Sequence, residues 1–293
     1  MAELGDFTAE KTRVRGAVED FLSSAFDRYP STEVRDAARY AVLGGGHRWR
    51  AIVAVAAGRI FREDALDVTL PGACGVELAH AASLILDDLP SMDNAEVRRG
   101  KRCVHLVYPQ WAVDMAPVFL ITMAYQLSLD NPLACEERRV GAALELSSAG
   151  LGMIAGQTED IRQDHAREKA GEQLLGCYQL KSGVLYAAAA KAGAILCGAN
   201  QQEARCIHDA GLNLGLSYQM LDDVADVVAD VPEVGKNSGM DLSKWTAVDW
   251  LGLDGARRKS GEFQTTALAA LDRFDSRANW LRTLVCEASW KAS

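Results

Sequence analysis

Paired cysteines, basic excess, proline and long apolar runs are all scarce in this chain, and each scarcity removes a class of protein. The seven cysteines, at positions 74, 103, 135, 177, 197, 206 and 286, include no CxxC pair and are odd in number. Neither a zinc site nor a disulfide framework is indicated, and a reducing cytoplasm is the expected location. Lys and Arg number 31 against 40 Asp and Glu, a formal net charge of -9. Nucleic acid, whose phosphate backbone needs a basic face, is therefore not an expected partner. Small anions stay open, because bound divalent cations invert the sign of a site locally. No run of about 20 apolar residues is present, so no transmembrane segment is expected. The opening Met1-Ala-Glu-Leu-Gly-Asp6 has no basic stretch followed by an apolar one, so no leader is expected.

What is present favours helix. Hydrophobic residues make up 49%, prolines number only 7, and alanine-rich runs such as Tyr186-Ala-Ala-Ala-Ala-Lys191 fill the middle of the chain. Apolar residues recur at helical spacing over 8–29 (Val14, Val18, Phe21, Leu22, Phe26), and Pro30-Ser-Thr with Glu33 opens a second helix that runs to Gly44. Gly44-Gly45-Gly46 breaks the chain before an apolar, uncapped helix over 49–60. Pro71-Gly72 is expected to start the next helix. Further helices of bundle length are expected over 111–129, 136–163, 168–197 and 201–228, with a loop over 232–244 that reads as a lid or as plain surface. No linker, repeat or low-complexity segment interrupts the series. One all-α domain over 1–293 is the expectation, a helical bundle with its active cavity between the helices.

Two acidic motifs carry the chemistry. Asp222, Asp223 and Asp226 lie on the apolar stretch 214–228, where Asp222 and Asp226 are four apart and share a helix face. Carboxylates crowded on such a face repel one another unless a hard cation joins them, and Mg²⁺ bridging to substrate phosphates is the natural partner. The same argument covers Asp87, Asp88 and Asp93, which end the apolar run 76–86; Pro90 interrupts the helix, so Asp93 joins through a local bulge. Either motif alone is as well read as solvated carboxylates at a helix end. Two together, each closing an apolar helix, point to a metal-held diphosphate. Around them stand Arg98, Arg99 and Lys101 after the first motif, Arg48 and Arg50 after the glycine run, and His80 upstream of Asp87. Guanidinium forks suit diphosphate oxygens.

Glu77-Leu-Ala-His80-Ala-Ala-Ser83-Leu-Ile-Leu-Asp87-Asp88-Leu-Pro-Ser-Met-Asp93-Asn-Ala-Glu-Val-Arg98-Arg99-Gly-Lys101 resembles the trans-isoprenyl diphosphate synthases, in particular those of the geranylgeranyl type, including a two-residue insertion between the aspartates. Gly152-Met153, Gly156-Gln157, Lys181-Ser182-Gly183, Tyr218-Gln219-Met-Leu-Asp222-Asp223, Gly235-Lys236, Lys244 and the segment 251–257 follow in the family's order. The resemblance implies that Asp87, Asp88 and Asp93 hold two Mg²⁺ and Asp222 a third, with Asp223 and Asp226 completing the second motif. It places Arg98, Lys181, Gln219 and Lys236 on the allylic diphosphate, with Ser182 and Lys244 beside them. Gly46, His47, Arg50, His80 and Arg99 would surround the diphosphate of isopentenyl diphosphate. It further implies a homodimer, and a product length governed by bulk below the first motif. Ala82 and Ser83, the fifth and fourth residues before Asp87, are small, which favours a C20 product; Met123, Tyr125 or Cys177 could instead set a floor, with ordinary core packing the weightier reading.

One departure bears on function. The family's Gly-Gly-Lys-Arg-Leu-Arg-Pro is here Gly45-Gly46-His47-Arg48-Trp49-Arg50-Ala51, so a histidine stands where a lysine is usual. That keeps a rival in view, a same-fold class I terpene cyclase or an enzyme prenylating another acceptor, although a cyclase has no use for His80, Arg50 and Arg99. A regulatory subunit of a synthase is a third reading, against which both complete aspartate motifs count.

Overall fold

The computed structural model describes residues 2–162, 170–229 and 245–287, and helices account for most of them. Helices α1 (Ala2–Phe26), α2 (Glu33–Val42), α3 (Trp49–Gly58), α4 (Ala65–Asp87), α5 (Gln110–Leu129), α6 (Glu136–Arg162), α7 (Ala170–Tyr178), α8 (Val184–Leu196), α9 (Gln201–Ala229), α10 (Ala247–Ala270) and α11 (Asn279–Glu287) form the bundle. The all-α expectation holds. Among the described residues the sheet content is one antiparallel hairpin, β1 (Val97–Arg98) and β2 (Lys101–Arg102).

Local chemistry explains two of the helix starts. Thr32 caps α2, its hydroxyl accepting from the Arg35 amide at 3.2 Å. Thr246 and Asp249 form a reciprocal capping box at the start of α10. Helix α4 begins six residues earlier than its Pro71 suggests. The proline withdraws an N–H from the carbonyl of Asp67, an exposed residue whose carbonyl water can satisfy, while Ala65 and Val68 of the extra turns are fully buried. Burial outweighs one missing hydrogen bond. The long helix expected over 168–197 is three pieces, α7, a π-helical turn over Gln179–Gly183, and α8. The loop expected over 232–244, with Lys236 and Lys244, lies outside the described residues.

Helices α3, α4 and α8 form the middle layer, with α3 against both α4 and α8, α5 outside α4, and α6 and α9 flanking α8. Ala187, Ala188, Ala189 and Ala190 of α8 are all buried, and their small side chains let three neighbouring helices approach at once. Helices α4 and α5 reach mean hydropathies of 1.3 and 1.4, high enough to pass for membrane spans by composition. For α4 the cause is packing on every side: 78% of its apolar stretch is buried inside the fold.

Candidate active site

The C-terminus of α4 turns back on itself. The Asp93 amide donates to the Asp87 carbonyl at 2.9 Å, and the amides of Met92 and Asn94 both donate to the Leu89 carbonyl, at 2.9 and 3.0 Å. The extra residues between the aspartates therefore make a closed turn that sets Asp93 beside Asp87. Burial, opposed by Lys181 and Arg98 and reinforced by Asp93 and Asp88, holds the Asp87 carboxyl above the usual carboxylate range. Asp88 is buried and accepts from Arg98 Nε at 3.0 Å and from its Nη2.

Arg98 and Arg99 stand on the hairpin, whose turn residues Arg99 and Gly100 have φ of 55° and 74°. Positive φ at both central positions is the two-residue turn that matches strand twist. It sends neighbouring arginines to different places. Arg98 faces Asp88, whereas Arg99 reaches back to donate from Nη1 to the Gly45 carbonyl at 2.7 Å.

Lys181 leaves the chain at the π-helical turn, a geometry often found at functional positions. Its ammonium pairs with Asp160 at 2.7 Å. Gly156 lets α6 lie on this turn, because a Cβ there would meet the Lys181 amide nitrogen at 2.5 Å. Ser182 donates to Gln219 Oε1 at 2.7 Å, and Gln219 Nε2 donates to Asp223 Oδ1 at 3.2 Å. The other oxygen of Asp223 accepts from the Tyr178 hydroxyl and, at 2.8 Å, from the Ala247 amide. Both oxygens of Asp223 are thus engaged by protein donors, and the residue ties α7, α9 and the start of α10 together. Burial keeps its carboxyl above the usual range although all three donors pull the other way. Asp222 and Asp226 stand exposed on α9, four apart on one face.

The second group of predicted residues meets in one place. Gly46, His47, Arg50, His80 and Arg99 line a cavity of about 350 Å³ together with Arg15, Arg48, Trp49, Glu77, Tyr186 and Tyr218. The glycine run makes its rim: Gly45 and Gly46 have φ of 104° and 131°, and Arg48 begins α3 in the left-handed region. Arg48 is buried and committed, bonded to Glu19 at 2.7 Å and the Val42 carbonyl at 2.6 Å, with Glu77 at 3.6 Å. Glu77 also accepts from the Ala51 amide. Arg48 and Glu77 therefore build the wall. Arg50 lies 4.6 Å over the Tyr186 ring, and its buried Nε has no hydrogen-bond partner. Burial, then the charges of Arg50, Arg99, Arg98 and Arg48, hold the His80 imidazole well below its usual range. Arg99 itself is lowered by burial and by the same crowd of arginines. An electropositive cavity with an orphaned guanidinium donor is built for an anion.

Ala82 is buried and Ser83 half-buried, its hydroxyl donating to the His80 carbonyl at 2.9 Å. Met123 is core, and the Cys177 thiol lies 3.6 Å from the Gly156 carbonyl. Among the described residues no three His, Cys, Asp or Glu side chains are grouped to hold a metal ion. The donors at the two aspartate motifs are nonetheless all carboxylate oxygens, and the closed turn brings Asp93 back to Asp87, a hard-oxygen set that suits Mg²⁺. Sequence reasoning missed Arg15, Asp160 and Tyr178. None sits in a recognisable pattern, and each gains its meaning only from a distant partner.

The polyprenyl synthetase family model matches residues 31–277. A geranylgeranyl diphosphate synthase from Pseudescherichia vulneris is 35% identical over 256 residues, covering 85% of this chain and 81% of that protein. Geranylgeranyl pyrophosphate synthase 9, chloroplastic, from Arabidopsis thaliana is 32% identical, covering 92% and 77%. A solved FPP/GFPP synthase from Zymomonas mobilis superposes with a TM-score of 0.84 at 25% identity, covering 98% of this chain and 100% of the other. With the fold, the aspartate-ended helices and these relatives in agreement, the chain belongs to the polyprenyl synthetase family.

Proposed function

We propose that this protein condenses an allylic prenyl diphosphate with isopentenyl diphosphate to give geranylgeranyl diphosphate, with Mg²⁺ as cofactor. It is a prenyltransferase. The observation that carries the two-substrate reading is the arginine-lined cavity, a second anion site separate from the carboxylates of α4 and α9. A cyclase holds one diphosphate and needs no such cavity.

Asp87, Asp88, Asp93, Asp222 and Asp226 would hold the metal ions, three in number by the family resemblance, which supply charge neutralisation of the leaving diphosphate. Asp223, with both oxygens bonded within the protein, acts here as the post that orients Gln219 and α10. Arg98, Lys181 and Gln219 face the allylic diphosphate, and Lys236 and Lys244 complete that set on the segment outside the described residues. As the carbon–oxygen bond breaks, the rings of buried Tyr186 and half-buried Tyr218, with centroids 5.6 Å apart, help keep water from the allylic cation. Gly46, His47, Arg50, His80 and Arg99 hold isopentenyl diphosphate so that its double bond meets that cation. A proton then leaves to the released diphosphate.

Small side chains at Ala82 and Ser83 and the names of the relatives support a C20 product. Exposed Met115, Val118 and Ile121 on α5 and Val140, Leu144, Leu151 and Ile154 on α6 give adjacent helices an apolar outer face, which supports a homodimer. An odd count of seven cysteines with no CxxC pair suits the cytoplasm. Incubation of the protein with Mg²⁺, farnesyl diphosphate and labelled isopentenyl diphosphate tests the proposal. A labelled C20 diphosphate supports it; a hydrocarbon from the allylic substrate alone, with no elongated diphosphate, overturns it.

A further inference from the structure

We infer that Arg15 of α1 is a diphosphate-binding residue of the arginine-lined cavity, supplying there the fixed positive charge that position 47, a histidine, does not. The inference rests on the reading of that cavity as the isopentenyl diphosphate site.

Lys11, Arg15 and Glu19 are spaced four apart and so present one face of α1. That face looks onto the chain around Arg48 and Trp49. Lys11 is committed: its ammonium pairs with Glu287 at 2.5 Å and lies 5.1 Å over the Trp49 ring. Glu19 is committed to Arg48 at 2.7 Å. Between them Arg15 lines the cavity, exposed on its solvent side, and among the described residues it has no ion-pair partner. The flanking pairs anchor α1 on both sides of it, so the guanidinium is held at the cavity by a fixed backbone.

The charge inventory of the cavity leaves a place for it. Arg48 is neutralised by Glu19 and Glu77, and His80 is kept from protonating first by burial and then by its arginine neighbours. Arg50 offers its buried, unpartnered Nε from the Tyr186 side, and Arg99 is tethered to the Gly45 carbonyl. Two guanidiniums on the inner walls can grip one phosphoryl group. The outer phosphoryl group of a diphosphate then faces the solvent side, where Arg15 stands and can offer a forked pair of donors.

Steady-state kinetics on the full chain with Mg²⁺ test this. Arg15→Gln should raise the KM for isopentenyl diphosphate about tenfold, the worth of one exposed charge-assisted contact, and leave the KM for the allylic diphosphate unchanged. Arg15→Lys should keep most of the affinity, and His47→Lys added to Arg15→Gln should restore it, since a charge from either side serves the same phosphoryl group. An unchanged KM in Arg15→Gln, or no restoration by His47→Lys, overturns the inference and leaves the synthase reading standing. Failure of the unsubstituted protein to elongate any allylic diphosphate overturns both, and it is seen before any substitution is made. Circular dichroism and thermal unfolding of each variant separate loss of binding from loss of fold; no fold defect is expected from an exposed side chain without an ion-pair partner.

Discussion

Replacing Gly46 by alanine puts a methyl group where the Arg99 guanidinium lies. An added Cβ would meet Arg99 Cζ at 2.9 Å and Nη1 at 3.0 Å, and the backbone there has φ +131°. Two costs follow. Holding a non-glycine residue at that φ costs of order 1–3 kcal/mol. The guanidinium must also move, which loosens its 2.7 Å bond to the Gly45 carbonyl; that bond lies at the solvent-open rim and contributes at the low end, about 1 kcal/mol. A total of about 2–4 kcal/mol is the expectation if neither cost is relieved by relaxation. At about 2.1 cal/mol/K per residue, 293 residues give an unfolding entropy of roughly 0.6 kcal/mol/K, so Tm should fall by about 3–7 °C. Scanning calorimetry reads that fall. The same displacement should raise the KM for isopentenyl diphosphate by about tenfold or more, with the allylic KM unchanged, since Arg98 and the aspartates are untouched. A lower Tm with an unchanged isopentenyl diphosphate KM would show that Arg99 does not touch this substrate. An unchanged Tm would refute the strain argument itself.

Three further outcomes follow from the ionisable groups. The Asp87 carboxyl is raised above its unfolded value, so the folded protein binds its proton the more tightly, and its contribution to stability is lost as pH rises through that window. Asp87→Asn should therefore raise Tm in metal-free protein at neutral pH while abolishing turnover, and a lower Tm would contradict the burial argument. His80 is depressed, so the unfolded chain takes up its proton first and stability falls as pH drops below the ordinary histidine value; inorganic diphosphate in the cavity should move the imidazole pKa upward in an NMR titration, and no movement would place the anion elsewhere. Tyr178→Phe removes one of three donors to buried Asp223 and should cost about 1.5–3 kcal/mol by chemical denaturation, against almost nothing if the Ala247 amide alone suffices.

The helices were legible because their apolar spacing is long and regular, as over α1, α5, α6 and α9. Boundaries were missed where tertiary packing overrides a local signal. Pro71 reads as a helix start, yet buried Ala65 and Val68 carry α4 past it. The π-helical turn at Lys181 has no compositional mark; what surrounds it is tertiary, the close approach of α6 at Gly156. The hairpin was legible in principle from Arg99-Gly100, a two-residue turn pair, but two-residue strands leave no periodicity. In the site, residues adjacent in sequence took different parts. Arg48 and Arg50 looked alike; one is bonded into the wall and the other is open to the cavity. Asp222 and Asp223 looked alike as well, and only hydrogen-bond partners separate them. Arg15 was beyond reach of any motif, since nothing in the first helix predicts what it packs beside.

The central claim is that two diphosphates occupy two chemically different places, one built of carboxylates and one of guanidiniums. Equilibrium binding of isopentenyl diphosphate by titration calorimetry, with chelator and without Mg²⁺, tests it most directly on the unsubstituted protein, Asp87→Asn and Arg50→Gln. The account predicts metal-independent binding in the first two and its loss in Arg50→Gln. Binding that needs Mg²⁺ and is lost in Asp87→Asn while surviving in Arg50→Gln would contradict it.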